Sequence, residues 1–216
     1  FDVVESLCFQ CKLCWVVCPY TEPHEYNLDV PSLFQRSKFQ RTTKEGVSIQ
    51  NKILADQDRL GKVASIAAPL VNLANQSSIS RQAMALVSDI HKEAPLPKYF
   101  TETFEKWFRS KFSGSVAKPK GAPLKKVAFF TSCTVNYNAP EIGRSAVDVL
   151  LHNNIEVNLL DQVCCGMPMI ETGDINGTKR KMEFNVPRMV ALVEQGYDIV
   201  TPSPTCALTI RKEYMK

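Results

Sequence analysis

The sequence predicts a chain of class α/β plus α: a helical part over residues 1–112, a linker over 113–124, and a small parallel sheet with flanking helices over 125–216. Three observations carry this. Residues 31–112 repeat apolar side chains at the three-to-four spacing of helices. Residues 113–124 concentrate Gly, Pro, Ser and Lys, the composition of a linker. Beyond them, short apolar runs at 125–131, 155–160 and 198–201 alternate with helical stretches, the pattern of strands joined by crossover helices.

The first element is a cysteine run, Cys8-x2-Cys11-x2-Cys14-x3-Cys18-Pro19. This is the bacterial ferredoxin-type spacing that holds [4Fe–4S] clusters. C-x2-C also opens zinc knuckles, but those separate two pairs by a longer loop, whereas these four thiols form one unbroken ladder. The spacing therefore marks Cys8, Cys11, Cys14 and Cys18 as cluster ligands. In two-cluster ferredoxins the Cys before Pro serves the other cluster. On that rule Cys8, Cys11 and Cys14 hold one cube, Cys18 reaches a second, and the fourth ligand of the first is unnamed. The sequence holds no second run. It begins at Phe1 and stops at Lys216 within a helical pattern, so the expectation is a fragment cut at both ends, with the partner run upstream and the C-terminal domain truncated. His24 follows in a polar, turn-rich stretch and reads as a hydrogen-bonded surface residue.

Four helical stretches follow. One starts at Pro31 and ends at Gly46, with Arg36, Lys38, Arg41 and Lys44 as a solvated basic face. Residues 58–74 form an apolar helix broken before Pro69. With Arg59 and Lys62 at one end, two readings stand: a helix lying on a membrane surface, or a buried core helix. The uninterrupted part is too short to span a bilayer. Residues 80–91 form a short helix. Residues 101–112 form another, with Thr101 as N-cap and an aromatic stripe of Phe100, Phe104, Trp107, Phe108 and Phe112 that reads as core packing. Beyond the linker, helices are expected over 140–152, over 175–196 with an interruption near Pro187, and from Thr205 onward.

With 44% hydrophobic and 22% charged residues, the chain has the material for ordinary globular cores. The net charge of +4 is shared equally by the halves on either side of residue 115, so neither is a basic nucleic-acid module, and no nucleic-acid partner is expected. Eight cysteines in ligand spacing read as metal sites rather than a disulfide framework. Thiolates that bind iron need a reducing compartment, so the expected location is the cytoplasm, with a peripheral position on the inner face of the cytoplasmic membrane under the membrane-surface reading. Residues 173–179 nearly match a phosphate-binding loop but in the wrong order, and read as a turn capping the next helix. No G-x-G-x-x-G follows a strand, so no bound dinucleotide is expected.

A second cysteine set falls just after the three strands: Cys133, Cys164, Cys165 and Cys206. The carboxyl ends of parallel strands form the binding crevice of open sheets. Three distant segments therefore deliver four thiols to one edge, which points to a second metal site rather than scattered core cysteines. Thr131-Ser-Cys133, Cys164-Cys165-Gly166 and Ser203-Pro-Thr-Cys206 resemble the CCG cysteine-rich domain family, whose pattern is Cys, spacer, Cys-Cys-Gly, spacer, Cys-x-x-Cys. Here the spacers are thirty residues (134–163) and thirty-six (167–202). The family includes a component of heterodisulfide reductase, the iron–sulfur subunits of anaerobic glycerol-3-phosphate dehydrogenase and glycolate oxidase, and lactate-utilisation proteins. Cluster run, helical insert and CCG domain in one chain are most similar to the anaerobic glycerol-3-phosphate dehydrogenase branch. The departure is Ser203, where the family has its first Cys of Cys-x-x-Cys. A noncubane double cluster needs a fifth thiol. Four thiols suffice for an ordinary iron–sulfur cluster or for zinc.

The resemblance implies an iron–sulfur electron-transfer subunit of an oxidoreductase. It would relay single electrons between a flavin dehydrogenase subunit and a quinone or other acceptor, with no catalytic residue of its own assigned. Two alternatives remain: a disulfide reductase component acting through the CCG site, and a zinc-stapled interaction module.

Overall fold

A computed structural model describes residues 2–88 and 90–215. Phe1, Asp89 and Lys216 lie outside the described residues, and with them the chain ends and one position of the helix read over 80–91. The chain forms two compact units. One comprises residues up to Asp56 together with Gly166–Arg180, the other Gln57–Cys165 together with the residues from Lys181 on. This division does not follow the linker at 113–124.

In chain order the elements are α1 (Asp2–Leu7), α2 (Leu13–Val17), α3 (Val30–Glu45), α4 (Ile49–Ala55), α5 (Gln57–Ile66), α6 (Ala68–Gln76), α7 (Ser78–Ser88), α8 (Phe104–Lys111), β1 (Val116–Ala117), β2 (Lys125–Phe129), α9 (Cys133–Tyr137), α10 (Pro140–His152), β3 (Ile155–Leu159), α11 (Met167–Thr172), α12 (Ile175–Glu194), β4 (Asp198–Val200), α13 (Pro204–Lys212) and a 3-10 turn, Glu213–Met215.

In the first unit α3 is the organising helix. Asp29 caps it by accepting from Ser32 N at 2.9 Å, Pro31 sits in its first turn, and Gly46 ends it at φ 82°. α1 and α2 pack on it. Its basic face is not wholly solvated as the sequence suggested. Arg41 pairs with Glu5, whose side chain is fully buried, and Lys38 is buried under the cysteine run. Buried carboxylates are rare unless paired, which is why the cation turns inward. Thr42 Oγ1 donates to Gly173 O at 2.6 Å, tying α3 to the end of α11. At Asp174 the carboxylate accepts from Gly177 N at 2.8 Å, so the loop before α12 is the helix cap its sequence implied.

The second unit is built on a four-stranded sheet of order β1-β3-β2-β4. β2 pairs in parallel with β3 (Val127 opposite Val157) and with β4 (Ala128 opposite Ile199). β1 runs antiparallel to β3, with Val116 opposite Asn158, so the sheet is mixed rather than parallel. The stretch read as linker thus supplies an edge strand. A two-residue strand inside a Gly- and Pro-rich segment has no periodicity to announce it.

The aromatic stripe explains why α8 belongs to this unit. Phe104 and Phe108 are fully buried and pack with Val127, Phe129, Val157 and Leu159, and the Phe104 and Phe129 rings lie 5.4 Å apart. Thr103, not Thr101, caps α8, accepting from Lys106 N at 3.3 Å. α5 and α6 break at Ala67, before Pro69, as expected. α12 runs unbroken through Pro187. Proline leaves the carbonyl four residues back without its amide, and next to that carbonyl Arg188 Nη1 donates to Phe184 O at 2.9 Å. Among the described residues no helix is long and apolar enough to cross a membrane.

Candidate metal centres

In the first unit the run Cys8–Cys18 follows α1 and contains α2, with Cys14 inside that helix and Cys18 at its C-cap. Gln10 and Lys12, either side of Cys11, hold left-handed backbone at φ 58° and 61°. Such conformations cost non-glycine residues about 1–3 kcal/mol each and cluster at functional sites. Cys11 and Cys14 are exposed, Cys8 and Cys18 half-buried. Lys38 Nζ donates to Cys8 O at 2.6 Å, and the buried Gln10 side chain donates to Pro31 O at 3.2 Å and lies 3.6 Å from Cys8 Sγ. Gln10, which sequence reasoning passed over, and Lys38, which it placed on a solvated face, therefore anchor the run to the start and middle of α3. His24 is not part of it. Its ring contacts Tyr20 and Tyr26, and its Nδ1 accepts from Tyr26 N at 3.2 Å.

In the second unit the three parallel strands end on one edge, and each hands the chain to a cysteine. β2 leads through Thr131 and Ser132 to Cys133, the first residue of α9, with Ser132 capping that helix by accepting from Val135 N at 3.1 Å. β3 leads to Cys164 and Cys165. β4 leads to Ser203, at the N-cap position of α13, and to Cys206 in its first turn. Cys164, Cys165 and Cys206 are buried and Cys133 is half-buried. The sulfurs of Cys133 and Cys164 lie 3.9 Å apart. The hydrogen bond with Cys164, and then burial, push the Cys133 thiol far above its ordinary value.

The Cys-Cys-Gly turn is gripped on its backbone by three side chains, Asp58, Asn185 and Tyr214. Asp58, near the start of α5, accepts from Cys164 N with both oxygens, at 2.9 and 2.8 Å, and Lys181 Nζ binds the same carboxylate at 2.6 Å. Asn185, fully buried, accepts from Val163 N at 2.9 Å and donates to Val163 O at 3.1 Å and Cys164 O at 3.3 Å. Tyr214 donates to Cys165 O at 2.9 Å. Burial first, and then the neighbouring Cys165, Cys164 and Cys206 thiols, hold its hydroxyl well above the usual phenol range, against the hydrogen bond from Asn185. These partners lie 21 to 106 residues from the turn, and no local spacing could have flagged them.

Beside Cys133 a polar cavity of about 130 Å³ is lined by residues including Glu105, Thr131, Asn136, Tyr137 and Gln162. Burial is the main reason the Glu105 carboxyl is held above the ordinary carboxylate range.

The donor set fits an iron–sulfur group: soft sulfur donors alone, from three strand ends, on a fastened backbone. The positions do not form a finished cage, because among the described residues no three His, Cys, Asp or Glu side chains converge closely enough to hold a metal ion. The structure brings Cys133 and Cys164 together and places Cys165 and Cys206 near Tyr214, but it does not close either set around one point.

Residues 127–211 match the model of the CCG family, described as a Cysteine-rich domain. The chain is 32% identical over 190 residues to the C component of anaerobic glycerol-3-phosphate dehydrogenase from Escherichia coli K12, covering 87% of this chain and 46% of that protein. It is 37% identical over 94 residues to the B component of fumarate reductase (CoM/CoB) from Methanothermobacter marburgensis, covering 43% and 18% of the two chains. It is 35% identical over 92 residues to an iron–sulfur protein of Methanococcus maripaludis, covering 41% and 18%. The chain thus spans less than half the length of the glycerol-3-phosphate dehydrogenase relative. No solved structure matches it.

Proposed function

We propose that this chain is an iron–sulfur electron-transfer subunit of an oxidoreductase, relaying single electrons between a flavin dehydrogenase subunit and a quinone or other acceptor. In this reading Cys8, Cys11, Cys14 and Cys18 are ligands of [4Fe–4S] chemistry, and Cys133, Cys164, Cys165 and Cys206 hold a second iron–sulfur group. The carrying observation is the pair Cys133 and Cys164. Adjacent strands deliver these residues, 31 positions apart, to a sulfur–sulfur distance of 3.9 Å on a turn whose backbone is fixed from three sides. Likeness to components of glycerol-3-phosphate dehydrogenase and fumarate reductase, and to an iron–sulfur protein, supports the same reading.

Bound clusters would supply one-electron redox chemistry at thiolate sulfur. The chain's own residues do the rest. Asp58, Asn185 and Tyr214 hold the Cys164–Cys165 backbone. Lys38 and Gln10 hold the Cys8 turn. Burial keeps water from three of the four C-terminal sulfurs. Because thiolates are the binding form, loading the C-terminal set releases thiol protons.

A peripheral position on the inner face of the cytoplasmic membrane is part of the proposal. Val63, Ile66, Leu70 and Leu73 on α5 and α6 are exposed, while the small residues Gly61, Ala64 and Ala68 face inward. An exposed apolar stripe with Arg59 and Lys62 at one end suits an anionic lipid surface.

Anaerobic reconstitution tests the central claim. The loaded protein should be brown, carry iron and acid-labile sulfide, and bleach with dithionite. Cys11→Ala should lose one part of the iron and Cys164→Ser the other. Zinc without sulfide, or loss of all iron in either variant, would overturn the two-centre reading.

A further inference from the structure

The backbone N–H of Cys164 needs one acceptor, and a neutral amide would serve. Asn185 does this for the neighbouring Val163. Yet Cys164 N is given both oxygens of a carboxylate, and that carboxylate is only 18% exposed. Removing a charge from water is costly unless it is paired, and Lys181, 15% exposed, supplies the pair at 2.6 Å. The two residues reach this point from α5 and α12, 123 positions apart in sequence. Satisfying a backbone amide does not explain a half-buried ion pair. What the pair adds over an amide is a fixed negative charge on the Cys164 backbone, with a fixed positive charge just behind it.

We propose that Asp58 and Lys181 are positioning residues of the C-terminal cysteine centre: Asp58 fixes the Cys164 backbone, and the charges of the pair set the reduction potential of the group held there. This rests on the reading that Cys133, Cys164, Cys165 and Cys206 bind an iron–sulfur group. Cluster potentials respond to nearby charge and hydrogen bonding. A centre that gains an electron is disfavoured by a neighbouring carboxylate and favoured by a neighbouring ammonium. Asn185 and Tyr214 hold the same turn without formal charge, so they separate holding from tuning.

The experiment is a redox titration of the iron-loaded protein, followed by paramagnetic resonance of the C-terminal centre. Asp58→Asn keeps the shape and removes the negative charge, so the potential should rise. Lys181→Met removes the positive charge, so the potential should fall. The double variant should lie between them, and it remains informative if an unpaired Asp58 prevents Lys181→Met from folding. A role confined to packing predicts no shift, or shifts of one sign in both single variants, and either result overturns the tuning claim. Positioning is read separately in iron-free protein by hydrogen exchange at the Cys164 amide. It should quicken by about tenfold or more in Asp58→Ala, the loss of a charge-assisted hydrogen bond, and an unchanged rate overturns that claim. Iron analysis of Cys164→Ser, run alongside, shows whether a failure belongs to this inference or to the assignment of the ligands.

Discussion

Replacing Asn185 with alanine should unlatch the Cys-Cys-Gly turn while leaving every cysteine in place. The side chain is fully buried and makes four hydrogen bonds: Val163 N at 2.9 Å, Val163 O at 3.1 Å, Cys164 O at 3.3 Å and the Tyr214 hydroxyl at 3.3 Å. Val163 is half-buried, so its two orphaned backbone groups regain some water and fall at the low end of the penalty, about 1 kcal/mol each. The lost bonds to Cys164 and Tyr214 add about 0.5 kcal/mol each, for a total of about 3 kcal/mol. Urea unfolding of iron-free protein measures it. Asn185→Asp is the sharper control. It keeps the shape and the acceptor but cannot donate to the two carbonyls, so at neutral pH it should cost at least as much as alanine. Tyr214→Phe combined with Asn185→Ala should be non-additive by about 0.5 kcal/mol or more, because the two side chains share a hydrogen bond. A loss below about 0.5 kcal/mol in Asn185→Ala is what an ordinary surface change produces. It would refute the view that this amide fastens the turn.

Three further outcomes follow from the structure. Gly143→Ala in α10 would put a Cβ 2.5 Å from Phe104 Cδ2 and 2.8 Å from Val135 Cγ1. Both neighbours are core residues, so thermal unfolding should show a loss of about 1–3 kcal/mol despite alanine's helix preference. Glu105→Gln should stabilise the protein at neutral pH, because burial raises the folded-state value of this carboxyl above its unfolded value of 4.5. The glutamate's contribution is therefore complete below 4.5 and is lost as pH rises through the raised value, so melting curves of the two proteins should converge in acid and separate near pH 7. Ser203 occupies the N-cap position of α13 but its side chain makes no cap hydrogen bond. Ser203→Ala should cost well under the about 1 kcal/mol of a true cap, and under the proposed function Ser203→Cys should raise iron per chain and alter the paramagnetic spectrum.

How much of this was legible in the sequence depended on the range over which each feature is encoded. β2, β3 and β4 were readable because each is a short stretch rich in apolar residues that alternates with helical stretches. β1 was not, because two residues within a Gly- and Pro-rich stretch become a strand only through pairing with β3. The apolar content of α5 and α6 was plain, but not its orientation. Gly61 faces the Tyr137 ring with no room for a side chain, so the small residues form the packed face and the larger ones remain outside. Both cysteine sets were visible, one from spacing along the chain and the other from its position after each strand. Asp58, Lys181, Asn185, Tyr214 and Lys38 were invisible, being common residue types whose roles arise from contacts across 21 to 123 positions.

The two cysteine sets solve one physical problem in opposite ways, and the difference governs where each is vulnerable. Cys11 and Cys14 are exposed, so water itself screens charge on their sulfurs. The chain's task there is steric, and it is met by left-handed backbone at Gln10 and Lys12 and by a lysine on the Cys8 carbonyl. Cys164, Cys165 and Cys206 are buried, where solvent cannot stabilise a thiolate and the cost of charge falls on the protein. At half-buried Cys133 the hydrogen bond with Cys164 gives the larger part of the upward push on the thiol, and burial adds to it. Around this set the chain supplies what water supplies to the other: a carboxylate–ammonium pair, a buried amide and a phenol, each fixed to the backbone of the turn. Changes at Gln10, Lys12 or Lys38 should therefore act on the N-terminal set through the shape of its backbone, and changes at Asp58, Lys181, Asn185 or Tyr214 on the C-terminal set, where the surrounding protein stands in for solvent.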